Sequence, residues 1–325
     1  MKIHPMWAAY PTLAPELSAT LQLIEDEVHP DNKPVAEALV RMINSGGKLL
    51  RPAYCLLFSQ FKTVDRQKMI ALAAAIETLH TATLVHDDIV DKAATRRNEP
   101  TIAAQFGNDV AVYAGDYLFV VCFKLIAHYA SDLRSVQQDS LSMERILNGE
   151  MAQMARRYNV DMTIDDYLHQ VTGKTGQLFA LAAFIGAYES GQSLRFAKKT
   201  EAIGLNIGIA FQLLDDILDY TATASTMGKP VHEDMRQGVY SAPLVLAMSQ
   251  NRQAFTPLLA KRDAMSNEDV AAVLALIQQY DGVAKARALA ADYTAKAQAQ
   301  LATLPDLPAR ALLIQLTESL LTRKQ

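Results

Sequence analysis

Apolar residues recur at three- and four-residue intervals along most of this chain, and the period-two alternation of half-buried strands is scarce. The longest such stretches cover 66–91, 109–130, 136–157, 163–187 and 194–220, and are rich in Ala, Leu, Ile, Met and Gln, which favour helix. Each predicts a long, largely buried helix. No proline stands between Pro100 and Pro230, as uninterrupted helices require. Shorter periodic segments predict helices over 16–28, 33–44, 49–59, 241–249, 268–279, 283–303 and 308–322. Breaks fall at Gly46-Gly47, Asn98-Glu99-Pro100, Gly107-Asn108, Gly191, Gly228-Lys229-Pro230 and Asp281-Gly282, residue types that end helices and form turns. With no solenoid repeat and no low-complexity linker, the expectation is a single all-α domain over 1–325.

Composition narrows the class. Half of the 325 residues are apolar and a fifth are charged, which excludes a disordered chain and supplies a core without disulfide or zinc support. A net charge of -4 argues against a partner that is a nucleic-acid backbone, where a basic footprint is the rule. Cys55 and Cys122 match no metal-ligand spacing and are expected as buried thiols in a reducing compartment. The first thirty residues carry no signal-peptide pattern, and no uninterrupted apolar run reaches spanning length. A cytoplasmic protein with no transmembrane segment is therefore expected.

Two aspartate clusters bring the first chemistry. Asp87, Asp88 and Asp91 lie in HTATLVHDDIVD, and Asp215, Asp216 and Asp219 lie in FQLLDDILDY. Composition alone would produce this spacing roughly 0.1 times in such a chain, so two copies point to a purpose. On a helix the first and last aspartate of each cluster are one turn apart and share a face. Both clusters sit among Leu, Val and Ile, where like charges one turn apart repel and desolvated carboxylates are costly, so a cation should neutralise them. Carboxylate oxygens without His or Cys favour a hard cation. Mg2+ in particular takes one or two carboxylates together with waters and substrate phosphates.

Cationic side chains accompany the helix breaks. Lys48 and Arg51 follow Gly46-Gly47 at a helix start, Arg96-Arg97 follow the first cluster, Lys174-Thr175 lie in a long helix, and Lys229 follows the second cluster. Free N–H groups at a helix start add to the attraction for anions. Gly46-Gly47 is not a nucleotide-binding Walker loop, because the Gly-Lys-Ser/Thr spacing is absent.

Taken in order, GGKLLRP, ETLHTATLVHDDIVD with Arg96-Arg97, AGDYLF, NGEMAQ, GKTG, FQLLDDILDY and GKP resemble the blocks of the trans-polyprenyl diphosphate synthases of medium- and long-chain type. The resemblance implies the isoprenoid synthase fold, long and mostly antiparallel helices around a central cavity with the two clusters facing each other at its mouth. It implies Asp87, Asp91 and Asp215 as Mg2+ ligands to an allylic diphosphate, three ions in all with substrate bound, supported by Asp88 and Asp219. Asp216 and Lys174 complete the catalytic set. Arg96, Lys174, Thr175, Gln212 and Lys229 would hold the allylic diphosphate, and Lys48, Arg51, His80 and Arg97 would hold isopentenyl diphosphate. The implied reaction is ionisation of the allylic diphosphate, head-to-tail attack by the isopentenyl double bond, and proton loss, in a homodimer compatible with a small partner subunit.

Two departures from the pattern bear on the site. Asn98 stands where many relatives have Gly after the paired arginines. Val239 stands where a Lys often follows the DxxxG formed here by Asp234 and Gly238, with Arg236 as a candidate substitute. Ala82 and Thr83, five and four residues before Asp87, are small where short-chain relatives carry aromatic residues, which implies a product longer than fifteen carbons. His86 reads as a packing neighbour of the cluster, Tyr117 and Phe119 as core or cavity wall, and Glu150 and Gln153 as either a polar network below the metal site or an interhelical hydrogen bond. The alternative function is a non-catalytic or partner-dependent subunit of a heteromeric polyprenyl diphosphate synthase; retention of both aspartate clusters disfavours the non-catalytic form.

Overall fold

Every long periodic stretch is helical in the computed structural model, which describes residues 3–97, 99–221 and 233–321. The α-helices run in the order α1 Ala14–Glu27, α2 Lys33–Asn44, α3 Leu50–Phe58, α4 Arg66–Val90, α5 Ile102–Phe106, α6 Asn108–Tyr129, α7 Leu133–Ala155, α8 Ile164–Val171, α9 Gln177–Glu189, α10 Leu194–Thr221, α11 Glu233–Arg236, α12 Ala242–Met248, α13 Arg252–Leu259, α14 Asn267–Gln279, α15 Gly282–Ala302 and α16 Pro308–Leu321. The strands among the described residues are the two-residue arms of a hairpin, Thr95–Arg96 and Glu99–Pro100. The all-α class follows from the sequence pattern. One predicted helix is interrupted: between α8 and α9, Thr172–Gly176 forms a π-helical turn. Helices α5 and α13 and a 3-10 turn over Pro5–Ala9 escaped the periodicity because they offer too few turns to show one.

The chain falls into two compact units. The first comprises Met1–Ser140, Leu181–Glu201 and Leu307–Ala309. Its centre is α4, which packs against α1, α3 and α6 and is buried on all sides from Met69 to Leu79. Ala71, Ala73, Ala74 and Ala75 give α4 a slim profile that lets its neighbours approach closely. Asp65 caps its start, accepting from the Gln67 N–H at 2.9 Å. Lys68 pairs with the buried Glu189 at 2.6 Å, and Glu189 also accepts from the backbone and hydroxyl of Ser131.

The second unit comprises Leu141–Ala180, Ala202–Asp306 and Arg310–Gln325. Here the short helix α12 is the hub, packed against α8, α13, α14 and α15, and it contributes Leu244, Val245, Ala247 and Met248 to a core shared with Leu213 and Ile217 of α10. Thr163 and Asp166 form a capping box at the start of α8, and Ser266 and Asp269 another at α14, each satisfying donors a helix start leaves open.

Helices α4 and α6 are each long and apolar enough to cross a membrane by length and composition, although neither is an uninterrupted apolar run. For α4 the apolar surface is spent on the core of its unit. Helix α6 instead keeps an exposed apolar stripe of Val112, Tyr113, Val120 and Phe123.

Candidate active site

The first cluster lies at the C-terminal end of α4, where Asp91 is the cap residue and Lys92 turns the chain in a left-handed conformation. Asp87 and Asp91, one turn apart, share a face. Asp88 is rotated about 100° from Asp87. It is 2% exposed and holds Arg96, whose Nε and Nη2 both donate to Oδ1, at 2.8 and 2.7 Å. Burial raises the Asp88 pKa while the hydrogen bond and charge of Arg96 oppose the rise. The ion pair brings the hairpin arm back to the helix end, so Asp88 anchors the loop that carries Arg96 and Arg97. A guanidinium has five N–H donors, and two spent on Asp88 leave three to Arg96.

One buried acid that the sequence left without a role lies close to the expected isopentenyl diphosphate residues. Glu77, 8% exposed, is the lone charge in the apolar run from Met69 to Leu79 of α4. Burial raises its pKa, and the positive charges that oppose the rise are Arg51 first and Arg97 second. Two residues expected at the isopentenyl diphosphate site are thus tied electrostatically to one buried carboxyl. An unpaired acid in an otherwise apolar helical run was the signal that could have found it. Arg97 is further fixed by Gly47: a Cβ there would lie 2.9 Å from Arg97 Nη1, so any side chain at 47 would push the guanidinium away. Its Nη1 also reaches Ser45 Oγ at 3.5 Å. The backbone carbonyl of Lys48 accepts from the indole N–H of the fully buried Trp7 at 3.0 Å, which steadies the turn before α3.

The other residues singled out around the first cluster are taken up by packing and local hydrogen bonds. His86 packs against Gly115 of α6, with Nε2 3.2 Å from the Val112 carbonyl oxygen and its ring 5.5 Å from that of Phe119. The Tyr117 hydroxyl accepts from the His29 N–H at 3.1 Å. Ala82 is fully buried, and Thr83, one turn before Asp87, donates from its hydroxyl to the His80 carbonyl at 2.7 Å.

In the second unit the π-helical turn presents Lys174 and Thr175. Gly149 of α7 and Gly173 meet backbone to backbone, since a Cβ on Gly149 would lie 2.7 Å from the Lys174 nitrogen. That approach lets Glu150 and Gln153 reach Lys174 Nζ, at 2.8 and 3.2 Å. Glu150 and Gln153 thus make the interhelical hydrogen bonds the sequence allowed, and their partner is the expected catalytic lysine. Thr175 donates to Gln212 Oε1 at 2.8 Å, and Gln212 Nε2 donates to Asp216 Oδ1 at 2.9 Å.

Asp216 repeats the behaviour of Asp88. Besides Gln212, it accepts from the Tyr167 hydroxyl at 2.7 Å and the Ala242 N–H at 3.0 Å. Burial pushes its pKa up to about 6 against these three donors. Asp215, by contrast, is exposed. In both clusters, then, the outer aspartates share a face and the middle one is committed to a structural network, a division that 100° per residue dictates. Among the described residues no three His, Cys, Asp or Glu side chains converge into a closed protein cage. An ion completed by water and phosphate needs none, so the outer carboxylates fit Mg2+.

Arg236, the candidate substitute for the lysine absent at Val239, donates to the Met265 carbonyl and to Asn267 Oδ1, the latter at 2.6 Å, which secures the approach to α14. Lys229 lies outside the described residues.

A model of the polyprenyl synthetase family matches residues 32–277, a span that contains both clusters and every basic residue discussed. The chain belongs to this family. It is 34% identical over 306 residues to heptaprenyl diphosphate synthase component 2 of Geobacillus stearothermophilus, covering 94% of this chain and 95% of that protein. Octaprenyl diphosphate synthase of Escherichia coli is 30% identical, with 93% and 94% covered. Among solved structures, geranylgeranyl pyrophosphate synthase of Lactobacillus brevis superposes with a TM-score of 0.94 at 43% identity, over 98% of this chain and 99% of that one. The fold of this polyprenyl synthetase is therefore the isoprenoid synthase fold of its relatives.

Proposed function

We propose that this chain is a prenyltransferase that condenses isopentenyl diphosphate head to tail with an allylic diphosphate, releasing diphosphate and giving an all-trans product longer than fifteen carbons. The observation that carries the reading is the division of labour in both aspartate clusters, in which Asp87 with Asp91 and Asp215 with Asp219 share faces while Asp88 and Asp216 are held by hydrogen bonds. Asp87, Asp91 and Asp215 are the proposed magnesium ligands, with Asp219 in support and three ions per site in the substrate complex. When bound, Mg2+ would offset charge that accumulates on the departing diphosphate. Arg96, through the N–H groups Asp88 does not use, and Lys174, Thr175, Gln212 and Lys229 bind the allylic diphosphate. Lys48, Arg51, His80 and Arg97 bind isopentenyl diphosphate, with the arginines oriented by Glu77. Lys174 is held in place by Glu150 and Gln153 before substrate arrives, so no reorganisation is required of it during the reaction.

The relatives bear on product length and assembly. Their names cover products from geranylgeranyl to nonaprenyl, and the small Ala82 and Thr83 suit a chain that grows past the turn beneath Asp87. Relatives named as component 2 of a heptaprenyl synthase support compatibility with a partner subunit. A homodimer is proposed through α6, whose exposed Val112, Tyr113, Val120 and Phe123 form the kind of stripe a second copy would cover. Localisation in the cytoplasm accords with this reading. Diphosphate release from isopentenyl diphosphate and an allylic primer with Mg2+, with products sized by chromatography, is the test. No release from the chain alone, restored by a partner protein, would favour the heteromeric alternative.

A further inference from the structure

Tyr167 comes from α8, and its side chain is carried into the apolar core of the second unit among Val171, Leu213, Ile217 and Leu244, where only 3% of it remains exposed. A hydroxyl in such a place is costly without a partner. Its partner is Asp216 Oδ2, at 2.7 Å. The same oxygen accepts from the first N–H of α12, at 3.0 Å, while Oδ1 accepts from Gln212 on α10 itself, at 2.9 Å. Asp216 therefore joins three helices at one carboxylate. A second tie between α10 and the start of α12, Tyr220 hydroxyl to Ser241 Oγ at 2.8 Å, lies one turn further along.

The consequences reach beyond packing. An ionised carboxylate only accepts, so the nitrogen of the Gln212 amide must face Asp216, and its oxygen is thereby left to face Thr175, which donates to it at 2.8 Å. Asp215 precedes Asp216 in the chain, and Asp219 follows by three residues, so the rotation of α10 that seats Asp216 also sets where the outer carboxylates point. Gln212 travels with α10, so the restraints on that rotation come from elsewhere in the chain, through the Ala242 N–H, the Tyr220–Ser241 pair and the Tyr167 hydroxyl. Of these, the Tyr167 hydroxyl is the side-chain donor from another helix that reaches Asp216 itself.

We propose that Tyr167 is a positioning residue for prenyl transfer, acting through Asp216 to hold the Asp215–Asp219 face and the Gln212 amide in their working orientation. The proposal rests on the reading of that face as a magnesium site. Phenylalanine would fill the same volume and keep every apolar contact, so the hydroxyl alone separates a positioning role from a packing one.

The experiment compares the full-length wild type with Tyr167→Phe and Asp215→Ala in steady-state diphosphate release, titrating Mg2+, the allylic primer and isopentenyl diphosphate separately. For Tyr167→Phe the expected result is a fall in kcat of about 10–100-fold with a higher half-saturating Mg2+ concentration, the range seen when residues that orient metal ligands are removed. KM for isopentenyl diphosphate should stay within about twofold, because its proposed contacts are elsewhere in the chain. Unchanged kcat and Mg2+ dependence would overturn the proposal, as would a loss that raises both substrate KM values equally without moving the Mg2+ dependence. If Tyr167→Phe does not fold, Asp216→Asn supplies the same readout: its amide can still accept from Tyr167 but must present a donor to Gln212, turning that amide over. Asp215→Ala separates the layers. Full turnover there overturns the magnesium reading and the proposal with it, whereas loss there with normal Tyr167→Phe overturns the proposal alone.

Discussion

Replacing Asp139 of α7 by asparagine should remove most of a pH dependence built into the first unit. Asp139 is 2% exposed, and among the described residues neither its carboxylate oxygens nor Ser135 Oγ, one turn earlier, has a hydrogen-bond partner. Cys55 and Cys122 nearby are fully buried thiols, as expected from the sequence, and burial pushes both upward. Burial, with the charge of Glu189 adding to it, pushes Asp139 from 3.8 up to about 7. Below pH 3.8 the group is protonated in folded and unfolded chains alike, and between there and about pH 7 only the folded chain keeps the proton. The stability this proton confers is thus fully present at acid pH and is lost as pH rises through the folded value. Some three units at about 1.4 kcal/mol each give a total near 4 kcal/mol, of which about 3 kcal/mol falls between pH 5 and pH 8. For a chain of this length that corresponds to about 4 °C in Tm. Asparagine does not titrate, so Tm of Asp139→Asn minus Tm of the wild type, followed by scanning calorimetry, should rise by this amount from pH 5 to pH 8. Subtraction cancels the opposite trend of Asp132, Asp166 and Asp269, whose pKa values hydrogen bonds hold low. A difference constant across that range would refute the reasoning, since Asp139 would then ionise as freely in the folded chain as in the unfolded one.

Asp87→Ala or Asp215→Ala should nearly abolish condensation while circular dichroism and Tm stay close to wild type, because each removes a proposed magnesium ligand from a position outside the apolar core. Glu77→Gln keeps the volume but releases Arg51 and Arg97, and KM for isopentenyl diphosphate should rise about tenfold, more than KM for the primer; equal effects on both would contradict the assignment. Ala82→Phe or Thr83→Phe should shorten the product on chromatography, and unchanged product length in both would refute the account of chain growth beneath Asp87.

Much of this was legible in residue order because it is local. Helix periodicity, proline absence and glycine breaks depend on neighbours within a turn or two, and they placed α4, α6, α7 and α10 within a few residues of their observed ends. The shared face of Asp87 with Asp91, and of Asp215 with Asp219, is a property of any helix. The hydrogen bonds that hold Asp88 and Asp216 were not legible in residue type, which sets them beside their neighbours without distinction. Nothing in the chain near Asp216 announces that Tyr167, 49 residues earlier, and Ala242, 26 later, will donate to it. Arg236 likewise kept its charge but found Asn267, 31 residues on. The π-helical turn at Thr172–Gly176 was invisible for a related reason: Gly173 fits there because Gly149 of another helix lies against it, a contact between backbones that carries no side-chain signature. The sequence by itself therefore determined the helices and which carboxylates could share a face. Only the tertiary structure decided that Asp88 and Asp216 are tied to other parts of the chain, because that depends on donors brought from distant residues.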